Sequence, residues 1–427
     1  MCGLQKGEMV VLRGVPRGTP PDLTDSDEII ANTELFWSCL YKRYDSHVPC
    51  QRHCLERLAE CVTKVPPEVM AQLAEPLPIE EVTAAIESLK KGKVSGPNGI
   101  PAELYIELAE EWAPLLQQQF NACFATNHCL SELQRRGRIS QLFKSGLRSD
   151  PANYRPVCSL NKDYQACSAC QNTRFCDIAA ILTGCDQTGF VAGRVMGWNI
   201  LKFLDVLHYS REHNIPMAVI LFDFRKAYDN VSHAFLFAII DIMCGVPLED
   251  VWEDLQAAQA APPGEYVYMH SAPPTRWLQT LYSRHMRTVT VNGTTTGWFL
   301  LESSVPQGDV MASTAFILYI EALGILLRTD PNIAGVTLPS GQQMVDARFA
   351  DDTGVAVTPL RSMPSCGRLR SSAPHPGWSI TASRQSGSGP GPGGDASQRG
   401  SRLPLRTTYS LPQAGRRDSR GSNVARS

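Results

Sequence analysis

MAVILFDFRKAYDN, Met217 to Asn230, and ARFADDTGVAV, Ala347 to Val357, are the stretches whose reading decides the fold. Met217 to Phe222 is an unbroken apolar run, as expected of a strand buried on both faces, and it ends on Asp223. Met344 to Ala350 and Gly354 to Val357 read as two strands around Asp351 and Asp352, with Thr353-Gly354 as the expected turn former. The implied element is a central β-hairpin with acids at its tip. Three carboxylates at strand ends in apolar surroundings are costly unless a cation offsets their charge. Mg²⁺ is the hard cation that prefers carboxylate oxygen, and two such ions roughly 3.5–4 Å apart can activate a hydroxyl and stabilise a leaving oxygen at phosphorus. An isolated Asp-Asp pair is more often a solvated turn, so its neighbours have to decide the case.

Working outward, Pro78 opens a run with Ile79, Val82, Ile86 and Leu89 at helical spacing. Lys90, Lys91 and Lys93 follow where a helix C-terminus favours cations, and Ser95-Gly-Pro-Asn-Gly99 stops it. Further helices are expected over Ala102 to Thr126, Ser232 to Met243 and Ala312 to Arg328. Thr288-Val-Thr-Val-Asn-Gly reads as a strand entering a tight turn, and Trp298 to Glu302 as its return. Residues 246–275 have no clear period and read as an insertion. Residues 1–66 mix Pro, Cys and charge, with one helical segment near Glu34 to Tyr44.

The 427 residues are 43% hydrophobic, enough for cores in two or three domains. Fourteen cysteines accompany an N-terminus that lacks the form of a signal peptide, which favours a reduced, intracellular compartment. The most apolar helix, Ala315 to Leu327, contains Glu321 and falls well short of the roughly 20 residues a bilayer needs, so no membrane span is expected. Charge is uneven. After Val357 there are eleven arginines, no lysine and two acids, in a segment dominated by Ser, Gly and Pro. Such composition cannot offset its ordering entropy, and 358–427 is expected to be disordered.

At this point the sequence resembles the reverse transcriptases of non-LTR retrotransposons, in collinear order from about Glu34 to Val357. KKGKVSGPNGIPAELY (Lys90 to Tyr105) looks like the N-terminal finger motif, with Asn98 where Asp is usual. RRGRISQLFKSGLRSDPANYRPVCSLNKDY (Arg135 to Tyr164) is similar to the fingers segment that ends in an Arg-Pro signature, here Arg155-Pro156. DQTGFVAGR (Asp186 to Arg194), LFDFRKAYDNVSH, SSVPQGDVMAS and FADD complete six ordered matches. The resemblance implies an α+β fold with right-hand polymerase fingers and palm and a central antiparallel sheet flanked by helices; the family's helical thumb is expected to be absent, because the matching text stops near Val357. Its divisions are an N-terminal extension over 1–66, fingers over 67–200 and palm over 201–357.

By the same resemblance, Asp223, Asp351 and Asp352 bind two Mg²⁺, with Mn²⁺ an alternative, and the nucleotide's phosphates. Tyr228 lies under the sugar and excludes a 2′-hydroxyl. Lys144 and Arg155 reach the triphosphate, Phe224 lines the nucleotide site, and Gln307-Gly308 brings backbone close to template base and nucleotide. The implied partners are an RNA template, a DNA primer and deoxynucleoside triphosphates, in nucleus or cytoplasm. For Tyr228 a core role, and for the two cations a solvated role, stay open. Asp229 and Arg225 read as surface or ion-pair residues.

The pattern also breaks. Ser304 and Pro306 replace Gly and Arg before Gln307, and the proline removes a donor and fixes φ. Val310 and Ala312 replace a Pro and a small polar residue. Cys167, Cys170, Cys176 and Cys185 stand where the family has an apolar and basic helix. With Cys50, His53 and Cys54 they read as buried or drifted thiols rather than zinc ligands. The switch to an Arg-rich end is what translation in a shifted frame or through an intron produces. Two other readings remain beside the polymerase: a truncated, inactive relic, and a nucleic-acid-binding protein acting through the basic tail.

Overall fold

The computed structural model describes residues 25–42, 48–224, 226–266 and 268–358, and the backbone of 378–383. The chain opens with α1 (Ser26–Leu40), capped by the Asp25 carboxylate, which accepts from the amides of Asp27 and Glu28. Helices α2 (Val48–Cys61), α3 (Pro67–Ala74), α4 (Ile79–Glu87), α5 (Ala102–Glu107) and α6 (Ala109–Thr126) follow. The helix expected over Ala102 to Thr126 is thus two, hinged at Leu108, which caps one and precedes the next. Short α7 (Glu132–Arg135) carries a capping box between Ser131 and Gln134 and feeds β1 (Arg136–Phe143), then β2 (Tyr154–Leu160). Helices α8 (Lys162–Leu182) and α9 (Met196–Glu212) lead to β3 (Ala218–Phe224).

Next come α10 (His233–Met243), α11 (Leu248–Ala260) and α12 (Pro273–Tyr282), and the strands β4 (His285–Val291), β5 (Thr294–Thr295) and β6 (Phe299–Leu301). After α13 (Ala312–Thr329) the chain forms β7 (Val336–Thr337), β8 (Gln343–Met344), β9 (Asp346–Phe349) and β10 (Asp352–Val357), and a last strand, β11 (Trp378–Ser383). The expected helices at α4, α10 and α13 all form. Residues 246–275 do not lack structure: Val251, Leu255 and Ala258 give α11 a buried stripe that packs on α10 and α2.

Two sheets organise the molecule. One is antiparallel throughout, in the order β11-β3-β10-β9. Strand β3 is not buried on both faces, since Leu221 and Asp223 are exposed while Phe222 and Phe224 are buried. The other sheet runs β2-β1-β4-β5, with β6 also on β4, and is mixed because β1 and β4 are parallel. A strand from within 201–357 therefore completes a sheet begun within 67–200. Strand β11 lies within the segment expected to be disordered, and its backbone pairs antiparallel with β3. The rest of the tail expectation, 359–377 and 384–427, falls outside the described residues.

Helix α13 is the spine of the main core. By length and composition it could cross a membrane, yet 78% of its apolar window is buried within the protein, against α2, α8 and α10. Glu321, its buried acid, is paired with Arg328 and Arg348. The cysteines of α8 fit the same core, for Cys167 and Cys170 are buried among Tyr164, Ala166 and Ile178. Burial pushes the Cys170 thiol up to about 12, so it stays a neutral packing group. Among the described residues no three His, Cys, Asp or Glu side chains stand close enough to hold a metal ion as placed.

Candidate active site

Strands β9 and β10 meet in a hairpin whose last pair is Phe349 with Asp352, leaving Ala350 and Asp351 as a two-residue turn. The turn falls before the expected Thr353-Gly354, both of which lie in β10. What closes it is Ala350 at φ 54°, a left-handed position taken here by a residue with a Cβ. Strand β10 then runs antiparallel to β3, with Thr353 beside Phe222. Continuing that register one step sets Asp352 beside Asp223. All three acids therefore gather at one end of the sheet, Asp223 and Asp352 exposed and Asp351 half-buried.

The charges interact. Partial burial, reinforced by Asp352 and Asp223, raises the Asp351 carboxyl above its ordinary range, and Lys144 draws it back. Without a counterion, like charges hold such groups apart. The donor set of three carboxylate oxygens at one sheet end suits a hard divalent cation, although the side chains as placed do not close around one.

Tyr228 follows β3 on a short helical turn, and its ring stacks on Phe316 of α13 at 4.5 Å between centroids. Burial and the neighbouring Asp351 raise its hydroxyl, while a bond with Ser313 opposes them. The ring is half-buried against α13, within electrostatic reach of Asp351. Phe224 is different: its side chain is buried beside Phe222, the rings stacked at 6.1 Å.

The Gln-Gly loop is fastened along its whole length. Ser304 and Val305 donate their amides to the carbonyls of Val231 and Tyr228, at 2.8 and 3.0 Å. The Cys158 amide of β2 donates to the Gln307 carbonyl at 2.8 Å. Gly308 has φ 118°, and a Cβ there would stand 2.5 Å from the Cys158 carbonyl oxygen. Its missing side chain is therefore needed against the protein's own strand β2, not only against a substrate. Pro306 is buried, and its carbonyl accepts from the Asp309 amide at 3.0 Å, so the proline's missing N–H does not leave this loop unfastened.

Lys144 and Arg155 are both exposed at the looped end of the β1–β2 pair, Arg155 opposite Leu142 and the Lys144 amide bonded to the Asn153 carbonyl. Of the residues singled out by sequence, the structure brings together Asp223, Asp351, Asp352, Lys144 and Tyr228. Gln307 and Gly308 are tied to Tyr228 through the loop. Arg155 lies in β2 of the other sheet, and Arg225 lies outside the described residues.

Sequence reasoning missed three supporting groups. Asp309 is buried and accepts from the Ser168, Tyr164 and Tyr282 hydroxyls, anchoring the Gln-Gly loop to α8 and α12; burial raises it while Ser168 and Tyr282 oppose. Asp229 is not a surface residue. Burial pushes it up to about 6, against Lys226 and the Tyr41 hydroxyl, which donates to it at 3.2 Å. Lys226 rests against the Trp37 ring at 4.8 Å and donates to the Tyr154 carbonyl, so α1, of unassigned role in the sequence, joins β2 to the turn after β3. None of these has a sequence signal, because each depends on which segment arrives opposite.

The antiparallel sheet, its acid-tipped hairpin and the flanking Gln-Gly loop meet at one place in the fold. Residues 144–366 match the family described as Reverse transcriptase (RNA-dependent DNA polymerase), just over half of the chain, and the protein belongs to that family. The match runs past Val357, where the resemblance read by eye stops. A Xenopus laevis protein, the transposon TX1 uncharacterized 149 kDa protein, is 25% identical over 336 residues, which is 78% of this chain and 23% of that protein. The chain thus spans less than a quarter of that relative's length.

Proposed function

We propose that the protein is the RNA-directed DNA polymerase of a non-LTR retrotransposon, adding deoxynucleotides to a primer 3′-hydroxyl on an RNA template, inside the cell. The observation that carries this is the β3–β10 register, which sets Asp223 beside Asp352, with Asp351 raised in part by both. Asp223, Asp351 and Asp352 are the residues that would hold Mg²⁺ or Mn²⁺. When bound, such ions activate the attacking hydroxyl and stabilise the leaving pyrophosphate. Lys144, already within electrostatic reach of Asp351, and Arg155 would neutralise the triphosphate. Tyr228, held flat by Phe316, would set the floor under the sugar, and the docked Gln307-Gly308 backbone would fix the height of the base.

Purified protein and Asp352→Asn, assayed for primer extension on an RNA template, test this. Extension by the first and none by the second is expected. Equal silence would favour an inactive relic. Salt-sensitive RNA binding without extension, lost on deleting 358–427, would favour a nucleic-acid-binding role.

A further inference from the structure

We infer that Gln187 is the positioning residue of the carboxylate hairpin, setting where its tip stands and hence how tightly Asp351 and Asp352 hold a divalent cation. The inference rests on the proposal that these aspartates bind the cation.

The segment after α8 lies along β9. The Arg348 amide donates to the Asp186 carbonyl at 2.8 Å and the Thr188 amide to the Arg348 carbonyl at 2.9 Å, a short parallel bridge. Asn199 of α9 clasps both strands of it, its amide donating to the Asp186 carbonyl at 2.7 Å and the Arg348 carbonyl at 2.9 Å. These bonds hold the stem of the hairpin. The tip is held by a side chain. The Gln187 carboxamide oxygen accepts from the Ala350 amide at 3.0 Å and the Gly189 amide at 2.9 Å. Ala350 is the left-handed turn residue immediately before Asp351, so this bond fixes the one backbone position that decides where the acids point.

Gln187 is wholly buried, and its amide nitrogen has no hydrogen-bond partner. Leaving that donor unpaired is a cost that an apolar side chain of similar length would avoid. Both groups facing the carboxamide are N–H donors, so the oxygen, and only the oxygen, can answer them. Gly189 completes the mount: a Cβ there would lie 2.4 Å from the Ala350 nitrogen, so the segment sits as close to the tip as backbone can.

The test titrates the full chain with Mn²⁺ alone, counting free ion by electron paramagnetic resonance, alongside thermal unfolding. Gln187→Met keeps the length and removes the acceptor. Asn121→Leu is the control, because Asn121 clamps the Leu77 backbone in the same manner, on α6. Well below both melting temperatures, Q187M should weaken Mn²⁺ binding about tenfold, while N121L binds as wild type. Q187M equal to wild type, or both variants weakened alike, overturns the inference. Should Q187M fail to fold, Gly189→Ala decides: it pushes the tip away with Gln187 in place, and weakened Mn²⁺ binding supports the inference while wild-type binding overturns it. Asp352→Asn separates the two levels. If it too binds as wild type, the aspartates are not the site and the underlying proposal has failed, with this inference.

Discussion

Asp346 and Asp352 open the two strands of one hairpin and live in opposite electrostatic surroundings. Asp346 is fully buried and meets Arg328 at 3.1 Å and Arg348 at 2.7 Å, while Glu321 meets the same two guanidiniums. Two acids are balanced by two cations, all of them buried but the partly exposed Arg328. Asp352, three residues along β10 from where Asp346 pairs with Val355, is exposed and has acids for neighbours. The contrast separates two uses of carboxylates. Buried and balanced, they hold elements together; exposed and mutually repelling, they are costly to the fold alone and suit a cation brought from outside.

The comparison breaks first at Arg348. Arg348→Met leaves Asp346 and Glu321 sharing one guanidinium, and denaturant unfolding should show a loss of about 3–5 kcal/mol. A loss no larger than a surface substitution gives would mean the balance is not what holds β9 to α13.

Asp241 is a middle case: buried, but facing only neutral donors, the Thr275 hydroxyl at 2.5 Å and the Ala272 amide at 2.9 Å. Burial pushes it up to about 8. A carboxyl raised in the folded state keeps a proton there that the unfolded chain releases near pH 4, so stability falls as pH rises and the penalty is complete above about 8. Asp229, at about 6, adds to the lower part of that window. Between pH 6 and 8 the wild type should lose up to about 1.4 kcal/mol per pH unit that Asp241→Asn does not lose. Parallel curves would refute it.

Gly308→Ala asks whether the site is fixed by backbone rather than charge. Its positive φ and the close Cys158 carbonyl predict a loss of roughly 1–3 kcal/mol, read by thermal unfolding. The smallest effect on stability belongs to Asp352→Asn, which removes a like charge: an unchanged or slightly higher melting temperature, with primer extension gone.

Much of this was legible in sequence. The apolar run before Asp223, the hydrophobic face of α4 and the Asn292-Gly293 turn after β4 are local signals, and local structure follows them. The turn at Ala350 was not legible, because a left-handed alanine is imposed by Gln187 from outside the hairpin and no residue in FADD announces it. Helix α11 was missed because Pro262-Pro263 and the alanines around them hid a stripe only three residues long. Asp229 was read as a surface or ion-pair residue because its burial depends on Tyr41, far away in the chain. The candidate acids could be named from sequence, whereas what positions them could not.

Strand β4 lies parallel to β1 although β2, β3 and five helices come between them in the chain. On the ribosome, β1 and β2 emerge early and pair, yet the other edge of β1 stays open until residues 285–291 have been synthesised. An unsatisfied strand edge kept waiting through so long a closure invites pairing with another nascent chain. Helices α4, α6 and α8 can meanwhile pack, α4 against each of the other two. Soluble yield should accordingly respond to translation speed between β2 and β4 more than to speed before or after.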